Sequence, residues 1–264
     1  MRSLSSLELF NIWDWGHNQP SWSRAIKLLA TACPDVPVET LTQFSIGQRD
    51  AMLLTLREWT FGSQLASQTA CPKCGEALEL NFNVADVRMV SPQLEPVEKF
   101  SLSQGEYQVS FRLPNTSDLM AICTSACKDV LSNPQQHNAL TTNQQLKTAQ
   151  QVLLDRCILS VTHNSESLSL NKLPTNIINT IIAEMAQADP QANVPLDTSC
   201  PACGHEWQLV FDIMSFFWSE INAWGLRILR DVHTLATAYG WREADILTMS
   251  PRRRQLYLDM VVSK

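Results

Sequence analysis

Two five-residue turns, Cys71-Pro72-Lys73-Cys74-Gly75 and Cys200-Pro201-Ala202-Cys203-Gly204, constrain this chain more than anything else in it. Two thiolates separated by two residues in a tight turn can reach one tetrahedral metal ion at about 2.3 Å. The glycine after the second cysteine lets the backbone swing its amides toward the sulfurs. Each turn is half of a four-cysteine site, and the two together complete it. The surroundings repeat at a constant offset of 129 residues. Thr69, Cys71, Pro72, Cys74, Gly75, Leu80 and Phe82 correspond to Thr198, Cys200, Pro201, Cys203, Gly204, Leu209 and Phe211, while Val84 and Val87 correspond to Ile213 and Phe216. Each turn opens a period-two strand, clearest where Leu78, Leu80, Phe82 and Val84 alternate with Glu79, Asn81 and Asn83. The pattern predicts an internal repeat of knuckle plus strand, its two copies facing each other across one structural zinc.

Rival readings of the cysteines stay open at this level. A C-P-x-C turn also occurs in thiol redox sites, where it follows a strand and opens a helix, whereas here each copy opens a strand. A catalytic zinc needs an open coordination position, and four cysteines fill the shell. His205 can replace a cysteine as ligand or serve simply as a turn residue. Cys123 and Cys127, spaced i, i+4 on an expected helix, can share a metal or pack as small core residues. Cys33 and Cys157 read as buried small hydrophobes.

The eight glycines are too scattered for G-x-G-x-x-G, a P-loop or G-x-S-x-G, and Leu209 stands where a zinc-protease helix starting at His205-Glu206 needs its second histidine. The chain is therefore expected not to be an enzyme. A net charge of −6 argues against nucleic acid as the main partner. No stretch has the 18 or so apolar residues of a membrane span, which argues against a membrane partner. The start, Met1 to Leu9, has no apolar core or cleavage site of a secretory signal, so the expected compartment is the bacterial cytoplasm, where thiols stay reduced.

The expected fold is α+β and mostly helical, a small zinc-tied β unit flanked by helices in one intertwined unit spanning 1–264. Residues 1–66 read as helical, with Ser45 capping the helix that carries Met52, Leu53, Leu56 and Trp59. Residues 67–113 with 190–213 make the zinc-tied β unit, the alternation Tyr107, Val109, Phe111, Leu113 included. Residues 114–189 are expected mostly helical, with loops at 133–143 and 163–169. Residues 214–264 read as C-terminal helices. There Phe217, Ile221, Trp224, Ile228, Val232, Leu235 and Tyr239 form one apolar stripe, Gly240 ends the helix, and Ser250-Pro251 opens the next. Four tryptophans at 13, 15, 22 and 59 read either as core anchors or as interface anchors.

Several blocks in order carry a family resemblance: Leu41 to Phe61, the first C-P-x-C-G, Leu153 to Cys157, the second C-P-x-C-G-H-x-W, Phe211 to Trp224, Tyr239 to Leu247, and Ser250 to Arg254. Together they resemble the T4-type baseplate hub assembly chaperone family, in the branch found with phage-like contractile injection systems. The likeness lies chiefly in 7–90 and 150–262 and is thin over 91–149. It implies a role in building a contractile tail or injection machine, with baseplate or hub proteins as partners and no catalytic residues. A permanent baseplate component and a cytosolic C-x-x-C thiol oxidoreductase are the alternatives. Partner contact is expected at the chain end, through Trp241, Arg252, Arg253, Arg254 and Tyr257, with Ile246, Leu247, Leu258 and Val261 left uncovered beside them.

Overall fold

The computed structural model describes residues 1–89, 99–123, 139–164 and 166–262, of which 139–146 by backbone alone. In chain order the helices are α1 (Ser6–Gly16), α2 (Ser21–Ala32), α3 (Val38–Gln43), α4 (Ile46–Phe61), α5 (Val84–Val87), α6 (described over 116–123), α7 (Ala139–Cys157), α8 (Thr175–Ala188), α9 (Ile213–Tyr239), α10 (Glu243–Thr248) and α11 (Pro251–Val262). The strands are β1 (Gln64–Ala70), β2 (Ala77–Asn83), β3 (Phe100–Gln104), β4 (Tyr107–Phe111), β5 (Ile158–His163), β6 (Glu166–Ser167), β7 (Val194–Ser199) and β8 (Glu206–Phe211). The fold is α+β and mostly helical. The chain divides into two compact units, each assembled from separated stretches: Met1–Val36, Leu53–Val87 and Leu196–Lys264 form the first, Pro37–Met52 and Arg88–Pro195 the second.

In the first unit, α1, α2, α10 and α11 pack on α9. The stripe on α9 is mostly inside: Phe217, Ile221, Ile228, Val232 and Leu235 are buried, and Gly240 closes the helix in the left-handed conformation at φ 67°. Two glycines set how closely α1 and α9 approach. A Cβ on Gly225 would lie 2.4 Å from the Trp13 ring, and one on Gly16 would lie 2.2 Å from the Trp218 ring. Each helix thus seats an indole on the other's glycine. The Trp13 ring N–H donates to Asn222 Oδ1 at 3.0 Å, so the buried indole keeps its polar partner. Of the four early tryptophans, Trp13 is a core anchor, whereas Trp15 and Trp59 are exposed. Arg57, itself buried, clamps α4 to α9 by a two-bond pairing with Glu220 and donates to Gly62 O at 2.7 Å.

The second unit holds a four-stranded sheet in the order β3-β4-β5-β6, all antiparallel. Val109, Phe111, Leu113, Cys157, Val161, Leu173, Ile177, Ile181 and Met185 form its core beneath α8. Here the structure departs from the sequence reading in two ways. Residues 158–167, expected as helix and loop, are β5 and β6, with Asn164 at φ 52° in their connection. Consequently β3 and β4 pair with β5 and do not join the strands around the cysteines. The register explains it, because Val109 faces Val161 and Phe111 faces Ile158 across the ladder. Residues 139–143, expected as loop, belong to α7.

Buried polar groups brace this unit. Asp118 has a fully buried side chain that accepts from Arg112 at 2.6 and 2.8 Å, from Arg156 at 2.7 Å and from the Asn115 amide at 3.0 Å. Burial works against its ionisation, but these donors outweigh it and hold the carboxyl below the ordinary range. Asp189 accepts from the Gly47 amide at 2.9 Å and from the Ser45 hydroxyl at 3.0 Å, at the start of α4. Burial dominates there and pushes its carboxyl up. Ser45 caps α4 as expected, accepting from the Gln48 amide at 3.1 Å while the Gln48 side chain accepts from the Ser45 amide at 3.0 Å.

Candidate metal centre

All four knuckle cysteines lie in the first unit, at the joined ends of two two-stranded sheets, β1-β2 and β7-β8. The turns are built alike. In one, the Cys71 amide donates to Glu76 O at 2.8 Å and the Gly75 amide to Cys71 O at 2.9 Å. In the other, the Cys200 amide donates to His205 O at 2.9 Å and the Gly204 amide to Cys200 O at 2.9 Å. Gly75 at φ 78° and Gly204 at φ 64° occupy the left-handed region, which is why glycine stands at both positions.

The 129-residue repeat has a spatial counterpart. Cys71 Sγ is 3.7 Å from Cys203 Sγ and Cys74 Sγ is 3.6 Å from Cys200 Sγ. Exchanging each residue for its mate turns the first pair into the second, as a local two-fold axis would. The mates Phe82 and Phe211 also meet, edge to face at 5.7 Å. The likeness extends past the strands: β1 and β2 match β7 and β8, and α5 begins at Val84 where α9 begins at the matching Ile213, both buried. In the first copy that helix lasts four residues and in the second 27.

The four sulfurs lie within 4.8 Å of one another and form the metal-ligating group found among the described residues. Four sulfurs about 2.3 Å from a central ion are about 3.8 Å apart, so the cross-knuckle separations fit a tetrahedral thiolate shell. They are far from the roughly 2.05 Å of a disulfide, and the thiols are free. The electrostatics agree. Burial opposes ionisation of Cys71, yet the amides of Cys74 and Lys73 and the thiols of Cys74 and Cys203 hold it down to about 7. At Cys203 the His205 amide favours the thiolate, but burial and the three other sulfurs push it up to about 12. Cys74 is raised too, the Glu76 amide being outweighed by burial and the thiols of Cys200 and Cys71. Cys71 ionises readily, and Cys74 and Cys203 then resist. A divalent cation removes that conflict by making all four thiolates ligands.

Cys71 and Cys200 are buried, Cys203 is half-buried and Cys74 is exposed, so the first cysteine of each knuckle lies inside and the second outside. Trp207 packs against the cluster, and His205 stacks on Trp207 at 5.8 Å. His205 does not belong to the ligating group; its backbone amide, like that of its mate Glu76, serves a sulfur. The sequence reading had missed that role, although the constant offset marks the pair. Cys123 is exposed on α6 and Cys127 lies outside the described residues. Cys33 and Cys157 are buried, with burial as the main cause of a Cys157 thiol pushed up to about 12.

The chain end is more closely packed than its sequence suggested. Ile246 and Leu247 are buried, because α10 packs on α1 and α9. Arg254 is also inside, 4% exposed and 3.4 Å from Asp231. Trp241 stacks on Tyr239 at 4.5 Å and meets Tyr257 edge-on at 4.7 Å. Arg252 and Arg253 are exposed, the latter over the Tyr257 ring at 5.7 Å. No helix among the described residues is long and apolar enough to cross a membrane.

Comparison with curated proteins and with solved structures finds no match. The family model described as T4 bacteriophage base plate protein matches residues 7–218. It runs straight through 91–149, where the sequence likeness was thin, and ends before Tyr239 to Arg254, where the likeness had been expected to continue. A match that takes in both knuckles, both hairpins and the first turns of α9 makes this chain a member of the T4 bacteriophage base plate protein family.

Proposed function

We propose that the chain is a non-enzymatic assembly protein for the baseplate, and specifically its hub, of a phage-like contractile tail or injection system. It acts in the cytoplasm of the producing bacterium and contacts other baseplate proteins. The family match over 7–218 carries this reading. One structural zinc on Cys71, Cys74, Cys200 and Cys203 completes it, supported by the four converging sulfurs.

In this reading the chain's residues position and do not react. The knuckle amides orient the sulfurs, Trp207 shields one side of the cluster, and the Phe82–Phe211 contact holds the hairpins in register. Zinc, when bound, supplies a closed four-thiolate shell that offers no site for substrate or water. The thiol oxidoreductase alternative lacks its usual setting, since each knuckle opens a strand and neither opens a helix.

The test is the chain's fate during assembly. Purified mature particles and assembly intermediates should be compared with those of a strain lacking it. Presence only in intermediates, with defective assembly on deletion, is the expected result. A fixed copy number in mature particles would instead make it a permanent component, and normal particles without it would remove the assembly role altogether.

A further inference from the structure

The two knuckles differ at their second cysteine, exposed in Cys74 and half-buried in Cys203. Cys74 is exposed, whereas Cys71 and Cys200 are each 2% exposed. The exposed thiol lies 3.6 Å from a buried thiol of the other knuckle, Cys200, and the remaining two thiols form an equivalent cross-knuckle contact at 3.7 Å. We propose that Cys74 is a thiol–disulfide exchange site for small disulfides such as oxidised glutathione, with Cys200 as its resolving thiol. The product is a covalent bond between the two hairpins. This rests on the zinc reading only for what is displaced, since the sulfur geometry is that of the chain itself.

The Cys74 thiolate attacks one sulfur of the disulfide RSSR, forming a mixed disulfide and expelling RS⁻. The Cys200 thiolate then attacks the Cys74 sulfur, forming the Cys74–Cys200 disulfide and expelling the second RS⁻. The two cysteines are oxidised by two electrons and RSSR is reduced by two, while a metal held by the four thiolates would lose two of its ligands. A second equivalent of RSSR joins Cys71 to Cys203 by the same route. Both bonds span the hairpins, so the tie between residues 71–74 and 200–203 outlasts the metal. Bonds within each knuckle would sever it.

The sequence supplies a direct readout, because Lys73 lies between the two cysteines of the first knuckle. Trypsin places Cys71 on the peptide 58–73, Cys74 on 74–88, and both Cys200 and Cys203 on 173–227. The full chain should be assayed for metal, treated with oxidised glutathione, alkylated, digested without reduction and mapped by mass spectrometry. The expected product is 74–88 bonded to 173–227, accompanied by release of any bound metal. Recovery of 74–88 bonded to 58–73, or of all four thiols still alkylatable, would overturn the proposal. Cys123→Ser should retain the bond between 74–88 and 173–227, and Cys74→Ser should abolish it. A metal-free preparation that still forms this bond would contradict the zinc reading alone.

Discussion

The paired hairpins of the first unit and the four-stranded sheet of the second are held by different means. Beneath the hairpins the buried apolar cluster is Cys71, Leu78 and Cys200, with Cys203 and Trp207 against it. Under the sheet lie nine buried side chains, and the adjoining charges are paired through Asp118. Two-stranded hairpins are marginal in water without something to pack on. A cluster that is mostly sulfur buries little hydrocarbon, so in the proposed zinc reading the hairpins lean on a bound metal where the sheet leans on its core.

The largest effect should come from the metal. Structural zinc sites in small peptides contribute about 10–16 kcal/mol of apparent binding free energy that is also folding free energy. Removal by a chelator, or Cys200→Ser, should therefore abolish amide-exchange protection over 64–83 and 194–211 while leaving 100–111 and 158–163 protected. Equal loss in both sheets would erase the contrast.

Next should come Asp118→Ala, which leaves two guanidinium groups without their buried carboxylate. A cost of about 3–5 kcal/mol is expected in denaturant unfolding, with metal content unchanged. The pH dependence has a definite sign. Because the folded-state carboxyl is held low, its contribution is present above the ordinary carboxylate range and is lost as pH falls through the lowered value. The variant should lack that acid-side loss.

Within the first unit, Gly225→Ala drives a Cβ into the Trp13 indole and should cost about 1–3 kcal/mol. The metal should stay bound, since the seat lies on α1 and α9. An unchanged melting transition would mean that the two helices separate easily. The smallest effect belongs to Asp189→Asn, about 1 kcal/mol, since an amide still accepts from Gly47. The Asp189 carboxyl is raised in the folded state, so its contribution is fullest in acid and is lost as pH rises through the raised value, opposite in sign to Asp118.

The two units were also unequally legible in the sequence. The four-cysteine cluster could be read because metal ligation calls for a fixed local spacing, and because the second copy repeats at one offset down to Phe82 and Phe211. The helices at 6–16, 21–32, 46–61 and 213–239 announced themselves through caps, glycines and period. The sheet was hidden. Its β5 strand follows α7 directly at Ile158, and the polar run from His163 to Ser169 conceals a hairpin. Asp118 and Arg156 stand 38 residues apart, and no local rule pairs them. The role of Gly16 and Gly225 was hidden too, because a seat for a distant tryptophan has no sequence signature. Arg254 read as a partner-contact residue at the chain end, and its burial beside Asp231 has no signature in the sequence.

The most direct test of the account is the metal content of the chain purified under reducing conditions without added metal. Elemental analysis should find one zinc per chain, falling to none in a variant with Cys71, Cys74, Cys200 and Cys203 all changed to serine. Chain that is free of metal, and whose hairpins are as well protected as its sheet, would contradict it.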